Sequence, residues 1–277
     1  MKTAKCCALD RLLEEGWFDS EKEAQAWVMT RRVLVDNVPL SSVKERIRQD
    51  GVIRVKEYYK KRYVNKGGLK LEGALRDFGI HAEGMVALDC GASTGGFTDC
   101  WLQQGVKQVY AVDVGFGQLA GKLLIEPRVV NMERTNLADS VLTVLDPRPE
   151  IISLDLSYLS LKKALPLCRE ILGEQGTAVC LVKPIYEVES AEIRRTGAIN
   201  DREIHREILR DLCTHFQEEG YAVRGVTNSG VTGNEGTLEY FLCLGWGGEE
   251  EQGNWETAIE EALDRAFALP AFHKNGI

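Results

Sequence analysis

Apolar and polar positions follow two different periods along the chain. In the first seventy residues the patterns are short: Leu9, Leu12 and Leu13 share one face of a predicted helix, a second amphipathic helix follows, and apolar residues then recur at every second position. From residue 83 onward, buried-strand patterns alternate with longer helical patterns, an order that is typical of a parallel sheet covered by helices. The pattern predicts a small α+β domain followed by a larger α/β domain.

The second helix of the small domain begins at a capping box. In Ser20–Glu23 the serine can serve the first-turn N–H groups while the glutamate reaches back to the cap. Further along, Asp36 and Asn37 separate two alternating segments, which predicts a turn between strands, and residues 52–55 offer a third strand. Two helices and a small sheet fit one compact module.

The larger domain opens with a strand that runs into a glycine-rich loop. The strand pattern of Met85–Asp89 leads into Cys90–Thr98, and a second strand at Gln108–Val112 ends in Asp113. Glycines let the backbone turn sharply and bring N–H groups against a ligand, and an acidic residue at the tip of the second strand can hold a ribose. The strand, the glycine-rich loop and Asp113 together indicate a site for a nucleotide-type cofactor. The alternative is that the glycines form a purely structural turn.

Strands and helices continue to alternate to the end of the chain. Further strands are predicted at residues 128–132, 151–156, 177–182, 221–227 and 239–246, and helices at 161–172, 203–219 and 255–269. No helix is predicted between the last two strands. A series that closes with such a hairpin resembles the Rossmann-like methyltransferase layout, in which the last strand is inserted antiparallel.

Charge is distributed unevenly between the two parts. The 277 residues are 44% hydrophobic and 27% charged, which sets aside disordered, collagenous and coiled-coil proteins. The formal net charge is −8, but residues 1–70 hold 16 Lys and Arg against 10 Asp and Glu, a balance of +6, and the remaining 18 and 32 give −14. The positive balance of residues 1–70, beside the negative balance of residues 71–277, predicts that the first seventy residues bind a polyanion.

Membrane and metal chemistry find little support in the sequence. The N-terminus has no apolar signal region, and no stretch approaches the roughly 18 apolar residues of a membrane span, so we expect a cytoplasmic protein. The eight cysteines form no CxxC pair, and the four histidines do not flank them at ligand spacing. Buried reduced thiols are favoured over zinc or disulfides, and we expect a monomer without a metal.

Four charged residues stand at strand ends that this order of elements brings together. Lys70 lies in the first turn of a helix ahead of the larger domain, where it opposes the helix dipole; Asp155 ends the fourth strand, Lys183 ends the fifth and Glu239 opens the seventh. Ligands of open α/β sheets bind at the carboxyl ends of parallel strands, and an antiparallel seventh strand begins at that edge. The four side chains are therefore expected to meet in one crevice.

This Lys-Asp-Lys-Glu set resembles the tetrad of RNA ribose 2′-O-methyltransferases of the FtsJ type. Residues 7–56 resemble the S4 RNA-binding domain, and the two features together resemble the TlyA family of rRNA methyltransferases, long labelled haemolysins. The implied fold is a Rossmann-like class I methyltransferase with a seven-stranded mixed sheet and a small N-terminal α+β S4-like domain. The matching stretches are Asn65–Leu75, Leu88–Cys100, Tyr110–Leu119, Leu154–Leu161, Leu181–Glu187 and Glu239–Phe241.

The resemblance implies methyl transfer from S-adenosylmethionine to a ribose 2′-hydroxyl, that of cytidine in ribosomal RNA. We expect Lys183 to be the general base, with a pKa lowered by Lys70 and by partial burial, while Asp155 and Glu239 orient it. The residues implied to hold the cofactor are Asp89, Gly91, Ser93, Thr94, Gly95, Gly96, Phe97, Asp113, Asn136 and Asp155. The residues expected to contact RNA, with a solvated basic face as the alternative, are Arg11, Lys22, Arg31, Arg32, Arg62 and Lys66.

The expected domain boundaries follow these assignments. Residues 1–60 form the S4-like domain, 61–82 a basic linker and leading helix, 83–247 the methyltransferase domain, and 248–277 an acidic linker and C-terminal helix. Three segments depart from the family pattern. Ala8 stands in place of a basic residue, and Arg31-Arg32 replaces a small residue and a glycine. After strand five, Pro184–Glu187 and residues 189–197 replace the family's Phe-Glu after Lys-Pro and its glycine-lysine-rich loop, a difference that concerns the RNA substrate more than the reaction.

Three other functions remain as alternatives. A base methyltransferase would share the cofactor fold, but Asp155–Tyr158 lacks the two prolines of the exocyclic-amine enzymes and the Pro-Cys of the cytosine-C5 enzymes. An S4-tethered ribosome-binding factor would bind the cofactor without turnover. A pore-former predicts an export signal or a large amphipathic surface, and the sequence shows neither.

Overall fold

The chain divides into two compact units, residues 1–62 and 63–277. The computed structural model describes residues 5–15, 17–18, 20–55, 62–157, 159–188, 190, 193, 195, 199–233, 236–248 and 253–269. Residues 56–60 of the predicted small domain, and residues 61 and 249–252 of the two predicted linkers, lie outside the described residues.

Within its described residues, the first unit contains two helices and two small antiparallel sheets. Its elements are β1 (Lys5–Cys7), α1 (Ala8–Glu14), α2 (Glu21–Met29), β2 (Val33–Val35), β3 (Val38–Pro39), β4 (Arg46–Arg48) and β5 (Ile53–Val55). One sheet has the order β3-β2-β5, and β1 pairs with β4 in the other. Both helices bury apolar residues in a core that the strands complete.

Local sequence signals explain most of this unit. Ser20 Oγ accepts a hydrogen bond from Glu23 N, as the capping box predicts, and Asp36 and Asn37 adopt φ values of 51° and 67°, the left-handed turn that links β2 to β3. The predicted apolar face of α1 is wrong at one position. Leu12 is fully buried but Leu13 is 38% exposed, because neighbouring helical residues point about 100° apart.

The second unit is built on one seven-stranded mixed sheet. Its elements are α3 (Gly67–Asp77), β6 (Val86–Cys90), α4 (Gly96–Gln103), β7 (Gln108–Asp113), α5 (Gly121–Leu124), β8 (Val129–Glu133), a 3₁₀ helix (Ser140–Val144), β9 (Ile151–Leu154), α6 (Leu161–Leu172), β10 (Gly176–Val182), α7 (Pro184–Glu187), α8 (Arg202–Glu218), β11 (Ala222–Asn228), β12 (Tyr240–Trp246) and α9 (Trp255–Phe267). The strand order is β11-β12-β10-β9-β6-β7-β8, and β12 runs antiparallel to both of its neighbours. The predicted Rossmann-like sheet is confirmed.

Both faces of the sheet are covered. On one face, α6, α8 and α9 contribute to an apolar core; on the other, α3 and α4 form a second core with Leu71 and Trp101. Successive side chains of strand β12 point to opposite faces of the sheet. Tyr240 and Leu242 face the first core, whereas Phe241 faces the second. Strands buried on both faces are uniformly apolar, which explains why the sequence pattern identified them.

The order of the strands creates a crevice at one point. The chain proceeds from β6 to β7 and β8 on one side and then returns to β9 on the other side of β6, so the direction of winding reverses between β6 and β9. Ligands of such sheets bind outside the carboxyl ends of the strands at this reversal. Gly91 and Asp155 follow the two strands there. They are so close that a Cβ on Gly91, whose φ is 84°, would lie 2.3 Å from the carbonyl oxygen of Asp155.

A buried polar network joins β6, β9 and α4 beneath this crevice. The fully buried Asp89 accepts hydrogen bonds from Thr98 Oγ1 at 2.6 Å and Ser153 Oγ at 3.0 Å, and Trp101 Nε1 donates to Ser153 Oγ at 2.9 Å. Burial raises the pKa of Asp89 to about 7. Asp89 therefore fixes the base of the glycine loop from below.

Among the described residues, no helix combines the length and the apolar character that crossing a membrane requires.

Replacement of Gly91 by alanine should destabilise the second unit severely. Gly91→Ala places a Cβ against the Asp155 carbonyl in a left-handed backbone, and we expect a loss of about 3 kcal/mol or more in the free energy of unfolding. Gly84→Ala is the matched control, because Gly84 has a φ of 77° but open space around it, and should cost about 1 kcal/mol. Equal losses in urea denaturation would show that the strands do not approach as described.

The free energy of unfolding should carry a pH dependence that comes from Asp89. Its pKa is about 7 in the folded protein, whereas an aspartate in the unfolded chain has its ordinary pKa of 3.8, so the folded state holds the extra proton between these values. Stability from this group is present at low pH and falls by about 1.4 kcal/mol per unit as the pH rises from 4 to 7. Asp89→Asn should remove that slope in urea denaturation at several pH values. Parallel profiles for the two proteins would contradict the assignment.

Candidate active site

One cleft at the carboxyl edge of the sheet brings the four predicted charged residues together. It encloses about 270 Å³, and Lys70, Asp155, Lys183 and Glu239 all line it. The other lining residues are Asn65, Lys66, Gly67, Gly91, Ala92, Ser93, Gly96 and Phe97. The cleft thus joins the charged set to part of the glycine loop that was predicted to hold the cofactor.

The four charged side chains form two ion pairs that differ in burial. Lys70, in the first turn of α3, pairs with Glu239, and each side chain is only 7% exposed. Lys183 Nζ lies 2.6 Å from Asp155 Oδ1 and 3.3 Å from Ser157 Oγ, with the two paired side chains 18% and 28% exposed. The first pair is part of the interior, whereas the second can be reached from solvent.

The buried pair explains the unfavourable place of Lys70 in its helix. A cation in the first turn opposes the helix dipole, and a buried charge is tolerated only with a partner. Glu239, the residue that precedes β12, is that partner. The start of α3 is fixed further by Tyr63, because a Cβ on Gly68 would lie 2.2 Å from its ring. The segment predicted as a linker and leading helix therefore builds one wall of the cleft.

Asp113 links the glycine loop to the tip of β7. Its Oδ2 accepts a hydrogen bond from Ser93 N and its Oδ1 accepts one from Gly115 N, both at 2.7 Å. Ser93 has a φ of 48°, and its Oγ donates to Gln118 Oε1 at 3.1 Å. Asp113 stands where the sequence predicted it, and in the structure it holds the loop in a conformation that a non-glycine residue rarely adopts.

Several residues that were predicted to hold the cofactor make hydrogen bonds or packing contacts within the glycine loop or next to it. Thr94 Oγ1 accepts a hydrogen bond from Asn65 Nδ2 at 2.6 Å. A Cβ on Gly95 would lie 2.2 Å from Leu123, so this glycine allows α5 to pack. Asn136 is exposed, and its Oδ1 accepts from Ala138 N at 3.0 Å in its own turn. Asp89 lies in the network beneath the loop.

Asn65 is a residue of the cleft that the sequence did not predict, and Lys66 was predicted to contact RNA. Asn65 lines the cleft, and the available signal was a polar side chain two residues before the glycine pair Gly67-Gly68. Lys66 also lines the cleft, where its Nζ donates to the carbonyl oxygens of Thr232 at 3.1 Å and Gly233 at 2.8 Å. Burial, and secondarily the charge of Lys70, lower the pKa of Lys66. Its ammonium holds the loop ahead of β12.

Glu187, in the segment that departs from the family pattern, has a structural role. Its Oε2 accepts a hydrogen bond from Ser160 Oγ at 2.6 Å, and its Oε1 accepts one from Leu161 N at 2.9 Å. Burial raises the pKa of this carboxyl group. Glu187 therefore connects α7 to the start of α6, behind the strand end that carries Lys183.

The predicted RNA-contacting residues of the first unit fall into two groups. Arg11 donates to the carbonyl oxygens of Arg48 at 3.0 Å and Gly51 at 2.9 Å, and its side chain is 13% exposed, so it mainly stabilises the unit. The others are exposed: Lys22, Arg31, Arg32 and Arg62. Arg31 has a φ of 55°, in the left-handed region, and the Arg32 guanidinium lies 6.0 Å from the Trp27 ring centroid.

Comparisons with known proteins agree with this geometry. Residues 63–246 match the FtsJ-like methyltransferase family. The chain is 38% identical over 263 residues to the Bacillus subtilis protein named "Putative rRNA methyltransferase YqxC", with 94% of this chain and 93% of that protein covered. It is 32% identical over 257 residues to "16S/23S rRNA (cytidine-2'-O)-methyltransferase TlyA" of Mycobacterium tuberculosis, with 93% and 95% covered. A solved structure, "Putative hemolysin from Streptococcus thermophilus", matches with a TM-score of 0.72 at 34% identity and 95% coverage of both chains.

These relatives are similar along nearly the whole chain, and the family match over residues 63–246 includes both ion pairs and the glycine loop. The chain therefore belongs to the FtsJ-like methyltransferases and, within them, to the TlyA family.

Proposed function

We propose that this enzyme methylates the 2′-hydroxyl of a ribose, that of cytidine, in ribosomal RNA, with S-adenosylmethionine as the methyl donor. The observation that carries the proposal is the cleft in which two lysines and two carboxylates meet beside the glycine loop. The similarity to a protein named as an rRNA (cytidine-2'-O)-methyltransferase supports the choice of RNA and nucleoside.

The residues around the glycine loop fit S-adenosylmethionine. Gly91 and Gly96 bring main chain to the wall of the cleft without a side chain, and Asp113 lies one hydrogen bond away at the tip of β7. Backbone N–H groups and an acidic residue at this place are suited to the carboxylate and ribose of a nucleoside cofactor. When bound, the cofactor supplies an electrophilic methyl group on sulfur. In this proposal Gly91, Ser93, Gly96 and Asp113 hold it.

We assign to Lys183 the removal of the proton from the ribose 2′-hydroxyl. A hydroxyl becomes an effective nucleophile only as its proton is removed, and Lys183 Nζ stands in the cleft at the accessible ion pair. Asp155 holds the amine in place through the ion pair. In this proposal Lys183 accepts the proton of the ribose hydroxyl and so acts as the general base.

The other two charged residues have a different role in this mechanism. Lys70 and Glu239 neutralise each other in the interior, and leaving either one unpaired would cost about 3–5 kcal/mol. They shape the wall that faces Lys183 and Asp155. Placement of the two reactants against this wall supplies a large part of the rate.

Recognition of RNA is assigned to the exposed basic residues of the first unit. Residues 1–70 carry a balance of +6, and Lys22, Arg31, Arg32 and Arg62 are exposed. Phosphate contacts of this kind give binding that weakens as salt rises, because counterions are released. Arg11 and Lys66 are left out of this surface, since both donate to backbone carbonyls of the protein.

Removal of the Lys183 amine should slow turnover strongly and leave cofactor binding nearly intact. Lys183→Ala is expected to slow methyl transfer to ribosomal subunits by at least about 100-fold, because general-base catalysis contributes on the order of 10²–10⁴. Affinity for S-adenosylmethionine, measured by calorimetry, should change by less than about threefold. The control is Lys163→Ala, which removes an exposed lysine from α6. A folded Lys183→Ala enzyme with normal turnover would refute the assignment.

Loss of exposed charge from the first unit should weaken RNA binding without destabilising the protein. Arg31→Gly removes a cation and also suits the left-handed backbone at φ 55°, so the free energy of unfolding should be unchanged or slightly higher. Combined with Lys22→Ala, it should lower the slope of log K against log salt by about one for each lost phosphate contact.

The matched control is Arg210→Ala, an exposed arginine of α8 in the second unit. Binding to isolated ribosomal subunits would be measured across a salt series. If Arg210→Ala weakens binding as much as the double variant does, the surface of the first unit is not the RNA-binding surface.

A further inference from the structure

Asn65 occupies a space that glycines on two sides leave for it. A Cβ on Gly96 would lie 2.0 Å from Asn65 Oδ1, and one on Gly67 would lie 2.8 Å from the same atom. Any side chain at either glycine would therefore displace the asparagine. A glycine is therefore needed at position 96 of the glycine loop to leave room for the Asn65 amide, whether or not a ligand also approaches there.

Both ends of the Asn65 amide are engaged. Nδ2 donates to Thr94 Oγ1 at 2.6 Å, and Oδ1 accepts from Gly67 N at 2.7 Å. The two hydrogen bonds fix the orientation of the amide and connect the start of α3 with the glycine loop. Neighbouring residues strengthen this connection, since Val64 N donates to Asp99 Oδ2 on α4 at 2.8 Å.

The glycine loop has a conformation that needs such support. Ser93 and Gly95 have φ values of 48° and 97°, and the left-handed region is unfavourable for serine by roughly 1 kcal/mol. Asp113 and Gln118 hold Ser93 on one side through its N–H and its hydroxyl. Thr94 lies between Ser93 and Gly95, and Asn65 holds it from the other side.

We propose that Asn65 is a positioning residue that sets the affinity for S-adenosylmethionine by holding Thr94, and with it the glycine loop, in the binding conformation. The inference rests on the proposed function. A loop that is ordered before the ligand arrives binds it more tightly, because the cost of ordering is not drawn from the binding energy. Asn65 acts through the loop, so its effect falls on binding of the cofactor and not on the methyl-transfer step.

The test is a double-mutant cycle on the Asn65–Thr94 hydrogen bond, with S-adenosylmethionine as the titrant in calorimetry. Asn65→Ala and Thr94→Val should each weaken binding about threefold to tenfold, the range of one hydrogen bond. Each single variant already breaks the hydrogen bond. The affinity of the double variant should therefore lie within about twofold of that of the weaker-binding single variant. Thr94→Ser keeps the hydroxyl and should restore most of the affinity.

Turnover separates positioning from a general loss of structure. In Asn65→Ala the KM for S-adenosylmethionine should rise about as much as the dissociation constant, while kcat at saturating cofactor stays within about threefold. Asn131→Ala, which removes an exposed asparagine from β8, is the control for the chemical change and should bind as the unchanged enzyme does.

Each outcome decides a different question. If the unchanged enzyme fails to bind S-adenosylmethionine, the proposed function fails. If it binds and Asn65→Ala and Thr94→Val bind equally well, or if their effects simply add, only the role of Asn65 is overturned. Should Asn65→Ala not fold, the comparison of Thr94→Val with Thr94→Ser decides, and equal affinities for those two variants overturn the proposal.

Discussion

The buried ion pair between Lys70 and Glu239 is the contact on which the cleft depends. Each charge is nearly inaccessible to water, so each requires the other, and the pair ties the first turn of α3 to the start of β12. Because α3 is held there, the residues just before it lie against the glycine loop and the loop ahead of β12. The accessible pair of Lys183 and Asp155 lies in the same cleft, and the proposed chemistry is assigned to it.

The glycine loop is supported from three directions. Asp89 fixes its base from beneath, Asp113 holds it from β7, and Asn65 holds it from the segment before α3. None of these three groups needs to touch the reacting atoms. Their common effect is to hold backbone N–H groups in a conformation that an isolated loop would rarely adopt, which is how a rigid sheet prepares a binding site on a loop.

The sequence predicted what depends on periodicity and strand order. Apolar runs located the strands of the large sheet to within about two residues, and the order of the elements placed Lys183 and Glu239 at one edge. It could not predict which lysine pairs with which carboxylate, nor that Arg11 is engaged by backbone carbonyls, because those contacts join residues far apart in the chain. Strand β1 has three residues, too few for alternation to appear.

The proposed activity of the enzyme is transfer of a methyl group to a ribose of ribosomal RNA. The most direct measurement is transfer of tritiated methyl from S-adenosylmethionine to isolated small and large ribosomal subunits from a strain that lacks the enzyme, followed by mapping of the labelled nucleotides. We expect incorporation at the 2′-oxygen of cytidine in at least one subunit. Absence of label from both subunits, or label on a base, would contradict it.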